Sequence, residues 1–267
     1  MNTVPLIGYS DRLSARPGDK IEFKVSSISE LNYTAKLYKS INADPNPNIG
    51  GLVEKSCDQF FQPLELPSRE QRFFPGSYAK TAEPLKIKAS ESVSLSCIFF
   101  PTLLMKREQC LIAVAGISIE TTKNGNLKFS SEWGAVELPE RLSERKWYKV
   151  QGTIFLSGKM GIECKELGVT QRKSRSISKH AAIDNINSIS LLTLAAELDQ
   201  NLAKKHFNGK IEAPAVSVDS SNLAKWDLSG GMKTTRIQGK NCPELELINY
   251  PTRAVKSSIW DGSEMNW

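Results

Sequence analysis

The chain has 267 residues, 40% hydrophobic and 24% charged, a composition ordinary for a globular protein that buries a sizeable core as one large β domain or two smaller ones. Lys and Arg number 35 against 29 Asp and Glu, and the resulting net charge of +6 permits contact with nucleic acid or an anionic surface without arguing for it. No run of about 18 apolar residues occurs, which excludes a transmembrane helix. After the turn at Arg16-Pro17-Gly18, Ile21, Phe23 and Val25 alternate with Glu22 and Lys24 and predict a strand. Tyr33, Ala35 and Leu37 against Thr34 and Lys36 predict another; strand, short loop, strand is how a β-sandwich begins. Asp44-Pro45-Asn46-Pro47-Asn48-Ile49-Gly50-Gly51 is a loop, because two prolines remove backbone donors and restrict the residues before them. Gln59–Gly76, with Pro63, Pro67 and Pro75, is loop-like too, and a subdomain boundary is expected near Tyr78–Pro84.

Val93, Leu95, Cys97 and Phe99 then alternate with serines up to Pro101, and Cys110–Val114, nearly all apolar, predicts a central strand. Ile117 and Ile119 on one side of Lys123-Asn124-Gly125-Asn126, and Leu127 and Phe129 on the other, predict a hairpin. Its Asn-Gly pair suits the two positive φ angles of a type I′ turn. In Arg145–Leu156, Tyr148, Val150, Gly152, Ile154 and Leu156 share one face, and Trp147, Lys149, Gln151, Thr153 and Phe155 the other. That is a strand packed on one side and wet on the other. Ser157-Gly158 punctuates it, and Met160, Ile162 and Cys164 resume the alternation as a hairpin partner. The basic stretch Gln171–His180, with Arg172, Lys173, Arg175 and Lys179, carries no acid and no aromatic residue and is expected as a solvated loop, with an anion or partner contact as the alternative. Leucines and alanines across Ser188–Phe207 suit an amphipathic helix by pattern alone. Phe207-Asn208-Gly209-Lys210-Ile211 leads into Val216 and Val218, a further strand.

The five cysteines (Cys57, Cys97, Cys110, Cys164 and Cys242) are odd in number and form no CxxC. They read as small buried apolar residues of a reducing compartment. The N-terminus shows no basic region followed by an apolar one, so no signal peptide is expected and the protein is placed in the cytoplasm.

The second half resembles the laminin-G-like, concanavalin-type jelly-roll domains. The resemblance is carried by the Asn-Gly hairpin, Lys146-Trp147-Tyr148-Lys149-Val150, the hairpin at Gly158 and the closing Phe207-Asn208-Gly209-Lys210-Ile211. It implies strand over Ile189–Ala196 and loop over Glu197–His206, against helix propensity. A narrower resemblance spans nearly the whole chain. Gly8-Tyr9-Ser10-Asp11-Arg12-Leu13-Ser14, the Pro17-Gly18 turn into Ile21-Glu22-Phe23-Lys24-Val25-Ser26, Asp44-Pro45-Asn46-Pro47 and Pro75-Gly76-Ser77-Tyr78 open it. Trp226-Asp227-Leu228-Ser229, Asn249-Tyr250-Pro251-Thr252-Arg253-Ala254-Val255 and Trp260-Asp261-Gly262 close it. In this order they resemble the N-terminal region of the large subunit of the N,N-dimethylformamidase family. That resemblance implies that the amide-hydrolysing domain, with a mononuclear iron held by tyrosine and glutamate side chains, lies beyond Trp267. No catalytic residue of the family carries over, and no cofactor is expected in this chain. The Lys-, Arg- and Ser-rich stretch Lys165–Asn187 departs from the pattern.

Chemistry-bearing motifs are sparse. His180 and His206, the two histidines, fall in expected loops, without a nucleophile–base arrangement beside them. No HExxH, EF-hand loop, GxxxxGK[ST] or strand-borne GxGxxG occurs, and Gly230-Gly231 reads as a turn. A glycosidase needs two carboxylates facing one cleft; Glu132, Glu137 and Glu140 are the nearest cluster, in an expected loop beside Trp133, Gly134 and Pro139. For sugar binding the aromatic candidates are Trp133 and Tyr38, the latter ahead of the loop holding Asp44 and Asn46. Trp260, Asp261 and Trp267 are candidates for a partner surface.

These observations together predict an all-β protein, with an immunoglobulin-like part over 1–80, a concanavalin A-like or laminin-G-like jelly-roll sandwich over 81–222, and a segment over 223–267 that returns to the sandwich or connects onward. The expected function is a non-catalytic accessory or assembly region of a dimethylformamidase-like amidohydrolase, partnered by its catalytic domain or subunit. A stand-alone lectin-like module with a glycan partner is the alternative, and neither a membrane nor nucleic acid is expected.

Overall fold

The computed structural model describes residues 5–12, 14–71, 76–168, 173–200, 202–229, 234–253 and 257–259. It divides into two compact units, Met1–Phe74 and Pro75–Trp267. Both are β throughout, and the described residues include a single short 3₁₀ turn, Pro47–Ile49. No described helix is long and apolar enough to cross a membrane.

The first unit contains β1 (Leu6–Ser10), β2 (Phe23–Ser27), β3 (Tyr33–Ala35), β4 (Tyr38–Asn42), β5 (Val53–Ser56) and β6 (Leu64–Leu66). They form three antiparallel pairs, β1 with β2, β3 with β6, and β4 with β5. Among the described residues of this unit only Ser26 and Ser27 are buried, while Phe23, Leu31, Ile49 and Phe60 stand well exposed.

The second unit begins with β7 (Tyr78–Thr81), β8 (Leu85–Ala89), β9 (Ser92–Pro101), β10 (Gln109–Val114), β11 (Ile117–Thr121) and β12 (Asn126–Ser131). It continues with β13 (Gly134–Arg141), β14 (Tyr148–Phe155), β15 (Lys159–Glu166), β16 (Lys173–Lys179), β17 (Ile186–Ser190) and β18 (Thr193–Leu194). The last strands are β19 (Glu197–Asp199), β20 (Leu202–Lys204), β21 (Gly209–Val218), β22 (Ser221–Lys225), β23 (Arg236–Ile237) and β24 (Leu245–Ile248). Eight of them make one sheet in the order β13-β12-β11-β10-β18-β7-β24-β23, six make a second in the order β16-β15-β14-β9-β21-β22, and β17 with β8 and β19 with β20 form separate pairs. Thus the described part of the chain after Leu223 returns to pair with the sandwich: β22 extends the second sheet, and β24 lies against β7 in the first.

Period-two patterning builds the core between the sheets. Val93, Leu95, Cys97 and Phe99 of β9 pair in register with Ile154, Gly152, Val150 and Tyr148 of β14, and both rows are buried inward. Ile117 and Ile119 of β11 and Leu127 and Phe129 of β12 face them, fully buried in the same cluster. Phe129 crosses into the space left by Gly152, so that a Cβ at Gly152 would run into its ring. Trp226 closes the far end, 1% exposed, donating its indole N–H to the Pro243 carbonyl at 2.7 Å. The Asp219 carboxylate accepts from Ser90 Oγ at 2.6 Å and from the backbone N–H groups of Ser90, Glu91 and Ser92, tying β8–β9 to the β21–β22 turn. The Ser90 hydroxyl first, then these amides, hold its pKa below the usual carboxylate range.

Four local expectations change. The hairpin at Asn124-Gly125 forms, but Gly125 alone takes a positive φ of 82°, and the Thr122 N–H donates to the Asn126 carbonyl. This is a longer turn closed by one left-handed glycine, in place of a two-residue type I′ turn. Within the basic stretch Gln171–His180, Lys173–Lys179 is an edge strand rather than a solvated loop, because it completes a seven-residue antiparallel ladder with β15; Gln171 and Arg172 lie outside the described residues. Glu197–His206 is not all loop, since β19 and β20 pair as a small hairpin. Gly134–Arg141 is strand rather than loop, with Val136 and Leu138 buried on alternate positions.

All five cysteines are free. Cys97, Cys110 and Cys164 are buried in strands, and burial pushes the Cys164 thiol up to about 12. In native protein, a thiol reagent is expected to reach Cys57 and Cys242 first and the other three only on unfolding; fast labelling of Cys97 in peptide mapping would contradict this packing. Replacing Gly152 with Val should cost about 2–3 kcal/mol in urea unfolding, since the added carbons meet Phe129 in a full core.

Candidate functional site

The residues singled out from the sequence belong to different units or lie outside the described residues. Tyr38, Asp44 and Asn46 belong to the β4–β5 hairpin of the first unit. Tyr38 is exposed, whereas the two polar side chains are spent on the turn. The Asp44 carboxylate accepts the Asn46 N–H at 2.8 Å, and the Asn46 side chain caps the 3₁₀ turn by accepting the Asn48 N–H at 3.0 Å. Trp133 lies in the second unit, half-buried and packed against its core. Trp260, Asp261 and Trp267 lie outside the described residues.

The most organised polar site lies instead on the outer side of the eight-stranded sheet. Glu120 sits in β11, between core-facing Ile119 and Thr121, so its side chain leaves the sheet on the other face. That face is covered by the β19–β20 hairpin and the chain that follows it: the Cys110 N–H donates to the Lys205 carbonyl at 2.7 Å, and the Phe207 N–H to the Ala195 carbonyl at 2.9 Å. Glu120 is therefore only 2% exposed, and its carboxylate is fully used. It takes the Lys128 ammonium at 2.8 Å, the Lys205 ammonium at 2.9 Å and the Ser130 hydroxyl at 3.0 Å. Glu108 bridges the same two lysines at 3.1 and 3.2 Å, and Glu197 meets Lys205 at 3.0 Å.

Two open depressions of about 440 and 470 Å³ flank this network and share Arg107 and Glu108 on their walls. His206 lines one of them, edge-on to Tyr78 at 5.9 Å, and its Nδ1 is buried without a partner. Desolvation pulls the Lys205 ammonium down, but its hydrogen bonds to Glu120 and Glu197 outweigh it and hold the group above its ordinary range. Lys128 is held up by the same balance, and Lys128 draws the Glu108 carboxyl down. Both ammonium groups are thus locked in the charged form, poor general bases near neutral pH. The network acts as an ionic strap over the sheet.

Nothing in the sequence reading placed these residues together. One signal was present: Glu120 is an acid inside the otherwise apolar and hydroxyl-bearing strand Ile117–Thr121, and such a position requires a matching cation once covered. Among the described residues no group of three His, Cys, Asp or Glu side chains is placed to hold a metal. Glu132, Glu137 and Glu140 belong to the β12–β13 hairpin, where Glu137 meets Thr122 at 3.4 Å.

No protein-family model matches the chain. It is 26% identical to the N,N-dimethylformamidase beta subunit of Paracoccus aminophilus and 23% identical to that of an Alcaligenes species, in both cases over the whole of this chain and 42% of the relative. The chain therefore spans about two-fifths of the length of these curated relatives. Among solved structures, a Bacteroides ovatus protein described as carbohydrate-binding aligns over 92% of both chains at 11% identity and a TM-score of 0.46. The SAP-like pentraxin of Limulus polyphemus aligns over 55% of this chain and 71% of its own at 11% identity and a TM-score of 0.41.

Replacing Glu120 with Gln leaves the Lys128 and Lys205 ammonium groups only the more exposed Glu108 and Glu197 as counter-charges and should cost about 2–3 kcal/mol, less than a fully buried pair because both lysines are partly exposed. The pH dependence has a definite sign. Glu108, lowered from 4.5, contributes stability above that value and loses it as pH falls through its folded value. Lys205, raised from 10.5, contributes below that value and loses its share as pH rises through its higher folded value. The advantage of the wild type over Lys205→Met in urea unfolding should persist at neutral pH and shrink above pH 10.5.

Proposed function

We propose that this chain is a non-catalytic accessory and assembly region of a dimethylformamidase-like amide hydrolase. The observation that carries this reading is the alignment of its entire length with part of two dimethylformamidase beta subunits. The site chemistry supports it: in the strongest polar cluster, Glu108, Glu120 and Glu197 are each engaged by Lys128 or Lys205 in a structural role. In this reading amide hydrolysis and any metal it uses belong to polypeptide outside this chain, the partner is that catalytic domain or subunit, and the compartment is the cytoplasm. The laminin-G-like lineage of the sandwich belongs to the same proposal. A glycan reading draws no support from Trp133, which packs on the core, or from Tyr38, whose neighbours Asp44 and Asn46 are engaged in their own turn.

The chain alone is expected to release no dimethylamine from dimethylformamide, whereas mixing it with the remaining segment and partner subunit of such an enzyme should give a larger species with turnover. Turnover by the isolated chain would overturn the proposal, as would full activity of the remaining parts without it.

A further inference from the structure

We infer that the outward face of β14, β15 and β16 is a docking surface for an acidic polypeptide. The inward side of these strands is core, with Val150, Ile154, Met160 and Ile162 fully buried. The residues between them point outward, and the ladder brings like charges into direct opposition. Lys149 pairs with Lys165, Lys165 with Lys173, and Lys159 with Lys179. Arg175 adds a further cation on this face, opposite Glu163, and Glu163 is taken by Lys173 at 3.0 Å. No other ion pair engages these cations among the described residues.

Directly opposed like charges weaken a sheet, because neighbouring strands stand about 4.8 Å apart and hold the charges close. Lysines on the edge strand β16 have an ordinary use in blocking strand addition. Lys149 and Lys165 lie on the interior strands β14 and β15, where that purpose is absent. A partner that brings carboxylates to the rows turns the repulsion into attraction, and this complementarity specifies the partner's sign.

The rest of the face favours protein over nucleic acid. Exposed Ile177 and Phe155 lie among Gln151, Thr153 and Ser96, the mixture of apolar and hydrogen-bonding groups typical of a protein interface. The Phe155 ring already carries the Lys159 ammonium at 6.0 Å and is not a free platform for a base. The choice of a polypeptide rests on the assembly reading above; the charge of the face does not.

The test uses the full chain, with poly-L-glutamate as probe and heparin and duplex DNA as competing polyanions. In Lys149→Ser/Lys165→Ser the affinity for polyglutamate should fall about tenfold, more steeply at low salt, while Lys86→Ser/Lys88→Ser, which removes the same charge from β8, should change it less than about twofold. The thermal midpoint of the face variant should equal or exceed that of the wild type, because repulsive pairs are removed. Equal loss in both variants would overturn the inference by reducing the effect to net charge. Tighter binding of heparin or duplex DNA than of polyglutamate would overturn it in favour of another polyanion. If wild type and face variant assemble equally well with dimethylformamidase-type subunits, the docking face fails and the accessory reading stands. If the wild type assembles with none yet binds polyglutamate through these lysines, the accessory reading fails and the docking face stands.

Discussion

The second unit depends on the inward row of β9. Val93, Leu95, Cys97 and Phe99 are each at most 2% exposed, and β9 is bonded on one side to β14 and on the other to β21. Because side chains alternate strictly, this row forces Tyr148, Val150, Gly152 and Ile154 to the same side, and with them Ile211 and Val216. A slip of one residue between β9 and β14 would bring Lys149, Gln151 and Thr153 into the core. The opposing sheet must then supply bulk where β14 supplies none, and Phe129 does so above Gly152. Register, sheet membership and inter-sheet packing are one constraint seen from three sides.

The ionic strap follows from the same alternation in the other sheet. Once Ile117 and Ile119 are committed inward, Ser118 and Glu120 must leave on the far side. The hairpin β19–β20 covers that side, and its closing residues bend sharply, with Ala195 and Lys205 both at positive φ, 61° and 52°. Left-handed backbone at a non-glycine residue is costly and persists only where its surroundings hold it. Here the Lys205 carbonyl is fixed by the Cys110 N–H and its ammonium by Glu120. A covered ion network seldom adds net stability over apolar replacement of all its members together, although removing one member alone is costly, so the strap is better understood as setting where the hairpin sits.

The sandwich was legible in the sequence because its signal is local. Tyr148 to Ile154 and Met160 to Cys164 alternate without interruption, and each strand formed within a residue or two of its pattern. The strands of 188–196 were legible only through the family resemblance: by periodicity the stretch favours a helix, yet β17 and β18 form because neighbouring strands offer backbone partners that propensity does not count, and β19 and β20 form where that resemblance implied a loop. The site was not legible, since Glu108, Glu120, Lys128 and Lys205 span nearly a hundred residues and meet only through sheet order. Asp44 and Asn46 show the opposite case, polar side chains next to prolines whose hydrogen bonds build the local turn.

Net charge hides the feature that sets this molecule's surface apart. An excess of six cations over the whole chain is modest, yet the outward face of β14–β16 alone holds Lys149, Lys159, Lys165, Lys173, Arg175 and Lys179 against Glu163. The alternation that buries Val150 and Ile162 dictates only that their neighbours face outward; it is indifferent to their charge. Serine and threonine fill the equivalent outward positions in β9 and part of β14, at Ser94, Ser96 and Thr153, where Ser94 and Thr153 hydrogen-bond at 2.9 Å across the ladder. The strands beside them would pair at least as well with such residues in place of opposed lysines. The core therefore gains nothing from these cations, the opposed lysines weaken the ladder, and apart from Glu163 on Lys173 the described face offers them no acid, which is what a partner at the inferred docking face would supply.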